Sequence, residues 1–119
     1  MLYVEATHPA VAVGQVRRCT PPDGATAMIV AVDRGPSGFV MNVVLEDGRA
    51  VNGVREVLAP IGWEQLEAHI GEVLSDVADV SPHLASYAKW KEMAQAGKAG
   101  YWTCSPEQIV ATVRKGAGG

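Results

Sequence analysis

The sequence predicts an α+β protein, a small antiparallel sheet followed by two or three helices. Three observations carry that reading. Between Val11 and Pro60 the chain is a series of short valine-rich stretches, separated by turns that contain Gly or Pro. From Gly62 onward the apolar period lengthens from strand-like to helical. Ser81-Pro82 and Ser105-Pro106 then stand where helices begin, Ser as the capping residue and Pro at the first helical position. Residues 1–60 thus supply the sheet and residues 61–119 a helical region packed on it, the whole being one compact unit.

The strand-like stretches are VAVGQVRRC, ATAMIVAVD, GFVMNVVLEDG and RAVNGVREVL. PPDG at 21–24, DRGPSG at 33–38 and EDG at 46–48 separate them. Glu46-Asp47-Gly48-Arg49 reads as a hairpin, because Gly48 supplies the positive φ that a tight turn needs. Short strands this closely spaced suit a small barrel or a tightly bent sheet.

Beyond Gly62, Trp63, Leu66, Ile70, Val73, Leu74 and Val77 recur at helical spacing. Glu64, Glu67, Glu72 and Asp76 fall on the other side. A helix over 63–77 with a solvated acidic face follows, and a docking face for a basic partner is the alternative. The next helix runs from the Ser81 cap through LASYAKWKEMAQA to Gly97, which suits a left-handed C-cap. The last opens with Ser105, Pro106 and Gln108 in a capping box and continues through IVATVRK, its basic residues at the C-terminal end. KGAGG reads as a frayed tail.

A composition of 48% hydrophobic and 19% charged residues is that of a folded domain and not of a disordered chain. The net charge of −3 argues against strong non-specific binding to nucleic acid, which requires several phosphates to be neutralised. The N-terminus lacks the basic flank and long apolar core of a signal peptide. AMIVAV at 27–32 is too short to span a bilayer. A cytoplasmic protein without membrane association is expected, with Cys19 and Cys104 as reduced thiols.

The densest stretch is KWKEMAQAGKAGYWTCSPEQIV. Gly97-Lys98-Ala99-Gly100 is not a nucleotide-binding P-loop: no hydroxyl follows Lys98, and a helix precedes the turn where a strand should stand. Lys98 beside Tyr101 and Trp102 can engage a partner by charge and ring stacking. Cys104 lies near a helix start, a place that favours a thiolate, but His8, His69 and His83 fall at no spacing that forces one beside it. Packing is its simpler role. No C-x-x-C or H-x-x-x-H pair exists, so neither a metal nor a cofactor is expected, and no catalytic residue is assigned.

Arg17 and Arg18 are adjacent and point to opposite faces of a strand. One of them can join Arg49 or Arg55 in a surface patch, the alternative being ordinary ion pairs with Glu46, Glu56 or Asp33. Trp63, Trp90 and Trp102 read as core anchors, with Trp63 covering an open end of the sheet. The terminal Gly118-Gly119 is similar to the tail of ubiquitin-like sulfur carriers, but a helix precedes it directly here.

The sequence VGQVRR, then MIVAVD and the VVLEDG hairpin, resembles an SH3-like or KOW-type barrel over about 45 residues. With its helical tail the chain is also similar to small proteins encoded in phage and prophage genomes. The resemblance implies protein binding, nucleic-acid binding or interference with a host system, and carries over no catalytic residue. The expected function is therefore non-catalytic binding of a protein partner or of a second copy, through Arg17, Arg18, Lys98, Tyr101 and Trp102. Recognition of a nucleotide or single-stranded nucleic acid is the alternative, and a thiol-dependent enzyme using Cys104 the third.

Overall fold

Six strands, all antiparallel to their partners, build one sheet. They are β1 (Val4–Glu5), β2 (Val16–Cys19), β3 (Thr26–Gly35), β4 (Gly38–Val51), β5 (Val54–Gly62) and β6 (Ile70–Ser75). The helices are α1 (Trp63–Glu67), α2 (Leu84–Gln95) and α3 (Pro106–Ala117). The computed structural model describes residues 2–20, 24–51 and 53–117, without the side chains of 48–51 and 117. The α+β class is as expected. The radius of gyration, 13.4 Å, is that of a single compact unit, for which about 13.5 Å is expected at this length.

The strand order is β5-β4-β3-β2-β6, with β1 beside β3. Among the described residues β5 and β6 do not pair, so the sheet is open where a closed barrel was expected. A bulge bends it: Ile29 faces Val43 and Ala31 faces Asn42, leaving Val30 as an extra residue. Before the bulge Ala27 and Ile29 point into the main core, and after it Val32 does so while Asp33 turns to the opposite face.

That core gathers Ile29, Met41, Val43, Leu45, Ala59 and Ile61 from the sheet, under Leu66 of α1 and Ile109 of α3. On the other face α2 covers Val40 and Tyr3 through Ala94 and Trp90. The Tyr3 and Trp90 rings meet edge-on at 5.2 Å.

Strand β6 overturns the helix expected over 63–77. That helix ends at Glu67, and Ile70–Ser75 instead pairs with β2, Cys19 opposite Ile70 and Arg17 opposite Val73. Gly71 in a helix interior costs about 1 kcal/mol, and Ile70 and Val73 are β-branched, so the local preference for helix is weak. Pairing along β2 tips the balance. Val73 and Leu74, on the apolar side of the expected helix, are 48% and 42% exposed.

The hairpin expected at 46–49 also lies elsewhere. Strand β4 continues to Val51, which opposes Val54, and Gly53 has φ 78°. Asn-Gly is the stronger two-residue turn signal, and Asn52 itself lies outside the described residues. So do Pro21, Pro22 and Asp23 of the PPDG turn, and Gly118-Gly119. The turn after β3 is narrower than DRGPSG: Gly35 faces Gly38, with Pro36 and Ser37 at the tip.

Both expected helix boundaries around the last helix pair hold. At the end of α2, Gly97 has φ 74°, its N–H donates to the Ala94 carbonyl, and the Lys98 N–H donates to that of Met93 at 2.8 Å. These two bonds make a Schellman cap. At the start of α3 the Gln108 N–H donates to Ser105 Oγ at 3.3 Å and the Ser105 N–H donates to Gln108 Oε1 at 3.2 Å. Ser81, by contrast, caps nothing with its side chain. It lies in a short 3-10 turn before α2, and its N–H donates to Asp79 Oδ1 at 3.0 Å. A bond from the Ser81 hydroxyl, and then this one from its N–H, lower the Asp79 pKa.

Candidate cleft for a partner

A cleft of about 380 Å³ opens where the β3–β4 turn, the start of α1 and the segment after α2 converge. Phe39, Trp63 and Tyr101 supply three aromatic walls, and Glu64, Gln65 and Thr103 supply polar groups. The volume lies in the range of ligand-binding pockets. Each ring is placed by a different part of the chain, so the cleft exists only in the folded protein.

Phe39 follows the tight turn at the start of β4, and Trp63 opens α1 immediately after β5. His8 packs on both, edge-on to Phe39 with ring centres 4.7 Å apart and tilted against Trp63 at 4.4 Å. The Ala10 N–H donates to His8 Nδ1 at 3.1 Å, which leaves the ring proton on Nε2. Tyr101 is held from the other side. The Gly62 N–H donates to the Trp102 carbonyl at 3.1 Å and the Trp102 N–H to that of Pro60 at 2.8 Å, so the segment lies along the outer edge of β5. A Cβ on Gly62 would stand 3.2 Å from Tyr101 Cε2; the glycine makes room for the ring.

The five expected binding residues do not form one surface. Tyr101 lines the cleft, whereas Trp102 turns to the main core as an anchor and Lys98 stays exposed at the Schellman cap. Trp90 braces the intervening turn by donating from Nε1 to the Gly100 carbonyl at 2.8 Å. Arg17 and Arg18 sit on β2, separated from β5 by two strands. Arg17 donates from Nε to the Gly71 carbonyl at 2.7 Å and from a terminal nitrogen to that of Ala10 at 2.9 Å. Arg18 pairs with Glu72 at 2.8 Å, and Arg55 with Glu46 at 3.2 Å. The arginines therefore tie strands and loops together. The side chain of Arg49 lies outside the described residues.

Cys104 is half-buried against the main core, and among the described residues no hydrogen bond joins it to a histidine. His69 instead meets the Thr20 carbonyl at 3.1 Å through Nδ1. Cys19 is buried, and burial pushes its thiol up to about 11. No group of three or more His, Cys, Asp or Glu side chains among the described residues is arranged to hold a metal ion.

Phe39 and Trp63 were not legible as site residues. Phe39 reads as one more apolar strand residue and Trp63 as a core anchor, and only the folding of the 101–103 segment onto β5 brings both beside Tyr101. Among the described residues no helix is long and apolar enough to cross a membrane. Comparison with protein-family models, characterised proteins and solved structures gives no match.

Proposed function

We propose that this protein is a non-catalytic binding module whose partner is another polypeptide, engaged through the cleft of Phe39, Trp63 and Tyr101. The observation that carries this is the convergence of three half-buried aromatic rings on one concave surface, the composition from which interface hot spots are built. Adaptor action and inhibition of a host system are both forms of this activity, and a second copy of the chain is one candidate partner. Kinship with SH3-like barrels belongs to the proposal and rests on the strand rhythm of the first half of the chain. Recognition of a nucleotide would use the same rings for stacking. It is the weaker reading, because Glu64 and not Lys98 or an arginine stands in the lining.

Native mass spectrometry of the protein purified gently from the cells that make it tests the proposal. A bound polypeptide, or a stable homo-oligomer, that is lost on Tyr101→Ala or Phe39→Ala while Lys98→Ala keeps it is the expected result. A partner that stays on all three variants removes the cleft from the function. A monomer carrying a small anionic mass moves the nucleotide reading ahead.

A further inference from the structure

The chemistry of the cleft says what kind of side chain it receives, given the binding-module reading on which this inference rests. Phe39, Trp63 and Tyr101 line it. The faces of aromatic rings carry negative potential, so a ring lining a cleft can hold a cation against its face as well as an apolar group. Glu64 is the one acidic residue among the described lining residues, and no Lys or Arg is in the lining. A carboxylate at the edge of an aromatic pocket repels anionic ligands and rewards cationic ones.

A further feature favours a cation over a plain hydrophobe. Gln65 and Thr103 place polar atoms in the lining, where the N–H groups of a guanidinium or ammonium need acceptors. Arg34, outside the lining, sets its guanidinium 5.8 Å from the Phe39 ring centre, and its charge opposes a second cation at this ring. The rings are also held in advance, Trp63 and Phe39 by His8 and Tyr101 by the space that Gly62 leaves. Little ordering is then needed when a ligand enters.

We propose that the cleft receives the cationic side chain of an arginine or lysine in a partner polypeptide, enclosed by Phe39, Trp63 and Tyr101 and paired with Glu64. Cation–ring attraction of the usual size corresponds to a preference of roughly threefold to thirtyfold over a neutral side chain of the same shape.

The test uses the full-length protein labelled with ¹⁵N and four capped tripeptides, acetyl-Gly-X-Gly-amide, with X as arginine, lysine, citrulline or norleucine. The arginine and lysine peptides should shift the Trp63 indole and the Gly38 and Gly62 amide signals saturably. Citrulline and norleucine should bind at least threefold more weakly. Glu64→Gln should weaken the cationic peptides threefold or more and leave norleucine unchanged, and Arg34→Gln should strengthen them. Both positions are exposed, so neither variant threatens the fold. Citrulline binding as tightly as arginine, or an affinity indifferent to Glu64→Gln, would overturn the cation assignment while leaving the cleft as a binding site. No shift with any peptide would overturn the assignment too. The binding-module reading would then stand or fall separately, on whether Tyr101→Ala releases the natural partner.

Discussion

Arg114 of α3 grips Asp47 of β4 through two parallel hydrogen bonds of 2.7 and 2.9 Å, and both side chains are more than nine-tenths buried. The bond to Asp47 raises the Arg114 pKa above its ordinary value, outweighing the opposing effect of burial. Arg114 also donates to the Arg55 carbonyl at 3.3 Å, so one guanidinium fastens the last helix to two strands.

Breaking this pair from either side leaves a buried charge uncompensated, which costs about 3–5 kcal/mol. Asp47→Ala and Arg114→Ala should each lower the unfolding free energy by about that amount in urea titration. The double variant should be no worse than the sum of the two and is expected to be milder, since neither charge is then stranded. Single-variant losses below about 1 kcal/mol would show that α3 is not fastened here.

A second buried carboxylate, Asp33, is fully enclosed under α2. The Tyr87 hydroxyl donates to Oδ2 at 2.8 Å, and Lys91 Nζ stands 2.9 Å from Oδ1. Burial alone lowers the Lys91 pKa, but its contacts with Asp33 and Tyr87 outweigh that and raise it. Lys91→Met should therefore destabilise more than Tyr87→Phe, for which about 1–2 kcal/mol is expected. Equal losses would mean that the ion pair contributes no more than the hydroxyl.

Stability should fall on the alkaline side. Burial, then the hydrogen bond to Asp33, pushes Tyr87 up to about 12, and burial pushes Cys19 up to about 11. Both groups hold their protons more tightly folded than unfolded. Their contribution is complete below the ordinary thiol and phenol values and is lost as pH rises through the folded ones. Melting temperature should decline from about pH 9 upward, and Cys19→Ala should flatten the first part of that decline. A profile unchanged by Cys19→Ala would contradict its assignment.

Asn42 is 1% exposed, and neither its amide nitrogen nor its oxygen has a hydrogen-bond partner. It stands on β4 between Ala31 and Pro60, neither of which has a polar side chain. Replacing a buried, unpartnered polar group by an apolar one of similar size removes its desolvation cost. Asn42→Val should stabilise the protein by about 1 kcal/mol, read from the denaturant midpoint. A loss instead of a gain would reveal a partner for the amide in solution.

Gly35 has no unusual φ, yet a Cβ there would come 2.7 Å from Tyr3 Cε1. Tyr3 is itself buried and edged by Trp90. Gly35→Ala should cost about 1–3 kcal/mol through overpacking, whereas Gly100→Ala, which meets nothing, should be close to neutral. Similar effects at the two glycines would refute the packing argument.

What the sequence disclosed follows from how local each signal was. The capping box at Ser105 and the left-handed Gly97 involve neighbours only, and both stand where the residues put them. The strand rhythm of β2 to β4 was equally plain, whereas RAVNGVREVL, read as one stretch, straddles the turn at Gly53 between β4 and β5. Ile70–Ser75 was misread because its apolar residues fit either period, and only the free edge of β2 decides between them. Site residues suffered most. Tyr101 could be singled out beside Lys98, but its companions Phe39 and Trp63 come from distant segments, and Asp47, read as a turn residue, finds Arg114 sixty-seven positions away.

The extra residue at Val30 divides β3 into two halves of opposite parity. Upstream, odd-numbered positions feed the main core; downstream, Asp33 and Ala31 face α2 instead. Removing Val30 would set Ile29 and Ala31 side by side opposite Val43 and Asn42, as in a regular ladder, so Val32 would stay opposite Met41 and Asp33 opposite Val40 while the local bend was lost. The extra residue thus sets how sharply the sheet curves at this point, while the alternation on either side of it decides which side chains fill the two layers.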